Sequence, residues 1–102
     1  MKIVINRCYG DFGVSKKVYD ELGIKYSGNV PLTNYIFGYV NVNPKQYRTD
    51  ERLIKAIEKI GLDESAGGTA ELKIIEVPDG IHWYIDQHEG KETVHERHRC
   101  WR

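Results

Sequence analysis

Proline is scarce and cysteine nearly absent: the 102-residue chain holds three prolines and two cysteines. Cys8 and Cys100 stand near opposite ends, so the dense cysteine spacing of a secreted disulfide scaffold is missing, and reduced thiols are the simpler expectation. No apolar run approaches the roughly 20 residues that a bilayer-crossing helix needs, and the segment 1–5 is too short for the apolar region of a signal peptide. A soluble, cytoplasmic protein with no membrane partner is the expectation. Excess charge is missing too, because 15 basic and 15 acidic side chains cancel. That excludes the broad positive field on which bulk nucleic-acid binding depends. What remains, 40% hydrophobic residues and ten glycines, fits one domain over residues 1–102 with one core.

The first ordered element reads as a strand. Lys2-Ile3-Val4-Ile5-Asn6 is rich in β-branched residues, and Arg7-Cys8-Tyr9-Gly10-Asp11-Phe12-Gly13 cannot continue it. Ser15 is placed to cap a helix whose apolar positions Val18, Tyr19 and Leu22 share one face, and Gly23 is placed to end it in a left-handed conformation. Val14 and Tyr19 have the spacing of a hydrophobic staple across the helix start. After an irregular stretch, Tyr35 to Val42 is aromatic and β-branched enough for a strand, with Gly38 marking a bulge or a close backbone approach.

A second helix follows, capped by Thr49 or Asp50. Leu53, Ile54, Ala56, Ile57 and Ile60 form its buried stripe, Arg52, Lys55, Glu58 and Lys59 its wet face, and Gly61 its stop. Leu62 to Thr69 reads as a connecting loop. Then Glu71–Val77 and Ile81–Asp86 flank Pro78-Asp79-Gly80, a hairpin signal because Asp-Gly suits a type I′ turn. In that register Ile74 faces Ile85 and Glu76 faces Trp83, with Leu72, Ile74, Ile81, Trp83 and Ile85 on the core face. Glu89-Gly90-Lys91 reads as another turn, and Thr93 to Trp101 as a returning strand, with a short helix from Thr93 as the alternative. As a strand it points His95, Arg97, Arg99 and Trp101 one way and Val94, Glu96, His98 and Cys100 the other.

Four constellations could carry chemistry. The loop Arg7 to Gly13 leads into a helix start, where free N–H groups and Arg7 suit a phosphate or carboxylate, although Tyr-Gly-x-Phe-Gly matches neither the P-loop nor the dinucleotide fingerprint. His95-x-x-His98-x-Cys100 has metal-ligating side chains, but in a strand His95 and His98 point to opposite faces, so no metal is assigned. Cys8 at a strand end could be a nucleophile beside a terminal histidine, but no third orienting group is present, so no catalytic residue is assigned. Arg7, His95, Arg97, Arg99, Trp101 and Arg102 could form a basic and aromatic patch for an anion or a protein partner.

The opening Lys-Ile-Val-Ile-Asn-Arg-Cys-Tyr-Gly-Asp-Phe-Gly-Val-Ser, the middle Ala-Glu-Leu-Lys-Ile-Ile-Glu-Val-Pro-Asp and the closing Glu-Thr-Val-His-Glu-Arg-His-Arg-Cys-Trp resemble a family of small bacteriophage and prophage proteins of unknown function. The likeness spans both ends and the hairpin region and leaves Ser27 to Tyr47 outside it. In that family the loop more usually reads Tyr-Gly-Gly-Phe-Gly-Leu-Ser, so Asp11 departs from a glycine and weakens the loop as a bare anion cradle. The resemblance implies a phage accessory protein acting in the host bacterial cytoplasm.

The residues therefore point to an α+β domain, mainly antiparallel sheet with a C-terminal β-meander and two helices packed on one face. The expected activity is non-enzymatic binding of a host bacterial protein or sequestration of a host factor. The alternative is a protein that binds a small anionic ligand such as a nucleotide, or a small hydrolase, using the Arg7 to Gly13 loop and the C-terminal His/Arg strand. The candidate binding residues are Arg7, Cys8, Tyr9, Asp11 and Phe12 of the loop and His95, His98, Arg99 and Trp101 of the terminal strand. No cofactor is called for, and the apolar segments around Tyr84 and Tyr35 leave room for a homodimer.

Overall fold

The structure, a computed structural model, describes residues 1–26, 32–34, 36–39, 45–68 and 70–96. Its elements in chain order are β1 (Lys2–Asn6), α1 (Lys16–Leu22), a 3-10 turn (Gln46–Thr49), α2 (Glu51–Ile60), α3 (Leu62–Ser65), β2 (Leu72–Glu76), β3 (Trp83–His88) and β4 (Lys91–Glu96). The α+β class and the antiparallel pairing are those the sequence implies. The connected meander is not formed: β1 pairs with β2, β3 pairs with β4, and these are two separate sheets.

The hairpin expected around Pro78-Asp79-Gly80 is thus a connection between sheets. A type I′ turn needs two successive positive φ angles; Gly80 has one, at 80°, and Asp79 does not. The Asp79 carboxylate instead meets the N-terminal ammonium at 2.8 Å, and Val77 N–H donates to the Met1 carbonyl at 2.8 Å. β2 therefore satisfies its backbone against β1, with Val4 opposite Ile74 and Asn6 opposite Leu72. The true type I′ geometry lies at Glu89 and Gly90, with φ of 53° and 94°, which joins His88 to Lys91 across a two-residue loop. The alternative of a helix from Thr93 is settled in favour of strand up to Glu96, and residues 97–102 lie outside the described residues.

Alternation puts Val4, Leu72 and Ile74 on the face of β1 and β2 that meets the helices. With Val18 and Tyr19 of α1 and Leu53, Ile54, Ala56 and Ile57 of α2 they make one core, and each fully buried aliphatic there contributes about 1.5–3 kcal/mol. Ile81, Trp83 and Ile85, expected in the core, are only half-buried because their strand belongs to the other sheet. Val14 and Tyr19 are both buried, in keeping with a staple. Ser15 adopts N-cap backbone geometry without a side-chain cap; its hydroxyl donates to the Glu64 carbonyl at 2.7 Å.

The expected loop after α2 begins with α3, because Ser65 N–H bonds back to the Gly61 carbonyl at 2.9 Å. Val14 then forms an isolated antiparallel bridge with Ala66, and a Cβ on Gly67 would lie 2.5 Å from the Val14 carbonyl oxygen. Only glycine admits that approach.

The strand expected over 35–42 is not formed at 36–39, which is a turn; Tyr35 and 40–42 lie outside the described residues. The turn is closed by Tyr39 N–H to the Asn34 carbonyl at 2.8 Å and pinned to α2 through Asp50. The Asp50 carboxylate accepts from Arg52 N–H at 2.9 Å, the Arg52 guanidinium at 2.8 and 2.9 Å, and the Tyr39 hydroxyl at 2.9 Å. Hydrogen bonds from Arg52 hold its carboxyl below the usual range. Asp50→Ala removes the cap of α2 together with this anchor. An expected loss of about 1–2 kcal/mol, larger than that of Tyr39→Phe, is checked by urea unfolding of the two variants.

Candidate functional site

The loop after β1 is organised around Asn6, whose side chain is fully buried. Its amide nitrogen donates to the carbonyls of Cys8 at 3.0 Å, Gly10 at 3.0 Å and Gly90 at 3.1 Å. Its amide oxygen accepts from Cys8 N–H at 3.2 Å and Glu71 N–H at 2.9 Å. One asparagine thus joins the end of β1, the loop, the entry to β2 and the turn between β3 and β4. Gly10 N–H adds a bond to the Glu89 carbonyl at 3.0 Å. The loop's glycine meets the protein's own second hairpin here, so this part of it is a structural seam.

Beside this seam lies a buried ion pair. Arg48, in the 3-10 turn, and Glu92, in β4, are each 3% exposed. The guanidinium grips the carboxylate in a fork at 2.6 and 3.0 Å and donates to the Val4 carbonyl at 3.3 Å. Glu92 also accepts from Asn6 N–H at 2.8 Å and from Lys45 at 3.3 Å. The Arg48 guanidinium carbon stands 3.5 Å from the Phe12 ring centroid and 5.1 Å from that of Tyr47. Burial pushes the Glu92 carboxyl up, but the Arg48 fork, the Asn6 N–H and Lys45 outweigh it and hold it below the usual range. With its charge matched in this way, Glu92 offers little to an incoming cation.

The outward face of β1 and β2 forms a cleft with β4. It is lined by Ile5, Arg7, Lys73, Ile75 and the run Lys91 to Val94, and has a volume of about 310 Å³. Ile5 stands opposite Lys73 and Asn6 opposite Leu72, so Arg7 and Lys73 are diagonal neighbours on this face, roughly 7–8 Å apart in such a ladder. Arg7 N–H bonds to the Glu71 carbonyl at 2.8 Å, which continues the ladder and fixes the position. Lys91 completes three cations around the cleft, with its ammonium 5.7 Å from the Tyr9 ring centroid. Ile75 and Val94, both half-buried, give it an apolar floor above the buried Ile5.

Of the residues singled out from sequence, Arg7 lines the cleft and Tyr9 stands beside it, 61% exposed. Cys8 is half-buried and held by Asn6, Asp11 is exposed, and Phe12 packs against Arg48. β4 does lie against β1, yet His95 is not among the residues that line the cleft with Arg7. Its ring stacks on Tyr84 with centroids 5.3 Å apart, and its Nε2 lies 2.9 Å from the Thr93 hydroxyl. His98, Arg99 and Trp101 lie outside the described residues.

Sequence reasoning missed Asn6, Arg48, Lys73, Lys91 and Glu92. For Glu92 a signal existed: it shares alternation parity with apolar Val94, and a carboxylate on an inward strand face requires a cation. Nothing local marks Arg48 as that cation. Comparison with protein-family models, with curated proteins and with solved structures returns no match. Fold and cleft define the class as an α+β protein carrying a cationic cleft with an apolar floor. Among the described residues, no group of three or more histidine, cysteine, aspartate or glutamate side chains is arranged to hold a metal ion.

Proposed function

We propose that the chain is a small phage-type accessory protein that acts by binding in the bacterial cytoplasm, sequestering a small anionic host factor in the cleft between β1, β2 and β4. The observation that carries this reading is the pairing state of its cations. Lys2, Lys17, Lys45, Lys59, Arg48 and Arg52 are each matched by a carboxylate. Arg7, Lys16, Lys25, Lys55, Lys73 and Lys91 have no ion-pair partner among the described residues, and three of these six, Arg7, Lys73 and Lys91, line one cleft. Like charges held close on a sheet face repel, and a bound anion would relieve that repulsion. A second reading, the cleft seated on an acidic side chain of a host protein, is favoured by the exposed ring of Tyr9 at its rim.

Thermal unfolding with inorganic pyrophosphate tests the first reading. A ligand at a hundredfold excess over its dissociation constant stabilises the native state by about 2.7 kcal/mol, so a rise in Tm is expected. The Arg7→Gln/Lys73→Gln double variant should abolish that rise while retaining its own unperturbed melt. A wild-type Tm that does not respond to the anion overturns the reading.

A further inference from the structure

The cleft has an asymmetry that a purely electrostatic site lacks. Along the outward face of β1 and β2, Ile5 is opposite Lys73 and Ile3 opposite Ile75. The face thus passes from a cationic end, where Arg7 and Lys73 are diagonal, to an apolar end at Ile75. β4 repeats the change of character, with Lys91 at the end near the loop and Val94 three residues on. The strand contributes consecutive residues 91–94 to the lining, so it meets the cleft edge-on, and β3 is its one strand partner among the described residues. At about 310 Å³ the space is at the lower bound of the roughly 300–1,000 Å³ typical of small-molecule sites.

We infer that the cleft selects an amphiphilic anion: one phosphate or carboxylate head held by Arg7, Lys73 and Lys91, joined to a compact apolar body such as a single ring lying over the half-buried Ile75 and Val94. An inorganic anion fills only the head end and leaves the apolar floor wet. A neutral ring fills only the floor and leaves the cations unpaired. A polynucleotide is excluded by size and by the absence of a basic track beyond these three side chains among those lining the cleft. The apolar contact adds affinity by removing isoleucine and valine surface from water, and the fixed order of head and floor sets the orientation of the ligand. The inference rests on the anion-binding reading of the same cleft and names the class of ligand it takes.

Isothermal titration of the full chain with three probes separates the two claims. Phenyl phosphate is expected to bind at least tenfold more tightly than inorganic phosphate, and benzyl alcohol not to bind. Val94→Thr keeps the side-chain shape and is expected to remove most of the advantage of phenyl phosphate without changing the affinity for inorganic phosphate. Arg7→Gln is expected to weaken both phosphates together. Equal affinity for the two phosphates would overturn the amphiphile inference while leaving the anion reading in place. Heat released by neither phosphate would overturn both, and binding of benzyl alcohol as tight as that of phenyl phosphate would show an apolar pocket with no anion head.

Discussion

Glu92→Ala is expected to lower the free energy of unfolding by about 3–5 kcal/mol, the range for removing one partner of a buried ion pair. Among the described residues, the carboxylate and the Val4 carbonyl are the hydrogen-bond acceptors of the Arg48 guanidinium, and its buried Nε has no partner there. Deletion leaves a guanidinium 3% exposed between two aromatic rings, with the Asn6 N–H unsatisfied as well. The loss should exceed that of the double variant Arg48→Met/Glu92→Leu, which removes both charges and restores apolar volume. Chemical denaturation of wild type and the two variants measures the difference. If the single variant is the more stable of the two, the pair is not the anchor of β4.

The same carboxylate gives stability a pH dependence of defined sign. The folded-state value of Glu92 is held below its ordinary 4.5 and that of Asp50 below its ordinary 3.8. Groups whose pKa is depressed by folding stabilise the native state above the unfolded value and lose that contribution as pH falls through the folded one. Stability from these two groups is thus flat from pH 7 down to about 5 and falls in the acid range below it. Glu92→Gln removes one ionisation and should flatten the acid limb, which urea midpoints collected between pH 3 and 7 would record.

Asn6→Ala carries the second large effect, with an expected loss of at least about 3 kcal/mol. Five hydrogen bonds end on this fully buried amide, and each buried partner left unsatisfied costs about 1–3 kcal/mol before relaxation. Asn6→Asp offers a graded comparison. It retains an acceptor for the Cys8 and Glu71 N–H groups but turns three donor contacts into repulsions between oxygens, so it should be at least as damaging as alanine. Gly90→Ala probes the same seam from the other side. A Cβ there would lie 1.7 Å from the Gly10 carbonyl oxygen, and a backbone atom has little freedom to yield. Hydrogen exchange should show the protection of β3 and β4 falling in all three variants, while α2 stays protected in proportion to global stability.

β1, α1 and α2 were legible from sequence because each is specified locally. A β-branched run makes the first, and an apolar stripe ending at a glycine makes each of the helices. The turn at Glu89-Gly90 was equally local. Asp79-Gly80 carried the stronger turn signature and does not form that turn, since turn propensity is worth little beside the burial of β2 against β1. Tyr35 to Val42 misled for a related reason: aromatic content reports a need for burial, and at 36–39 that need is met by turns that seat Phe37 against Tyr47 at 6.0 Å. One of the cleft's three cations, Arg7, was visible from sequence. The other two were not, because Lys73 and Lys91 look like solvated positions until the topology sets their strands against β1.

The sequence alone determined the mixed α+β class, the helix ends set by Gly23 and Gly61, and the strand-to-loop break at Arg7, all consequences of dihedral preference and hydrophobic period within a few residues. The tertiary structure alone decided which strands pair, where the Arg48 and Glu92 charges meet, and that Asn6 closes the loop on the turn at Gly90. Those outcomes depend on groups 44 and 84 residues apart in the chain, and no local propensity encodes a distance. They are selected because burying a charge or an amide is tolerable only where its complement arrives at the same place.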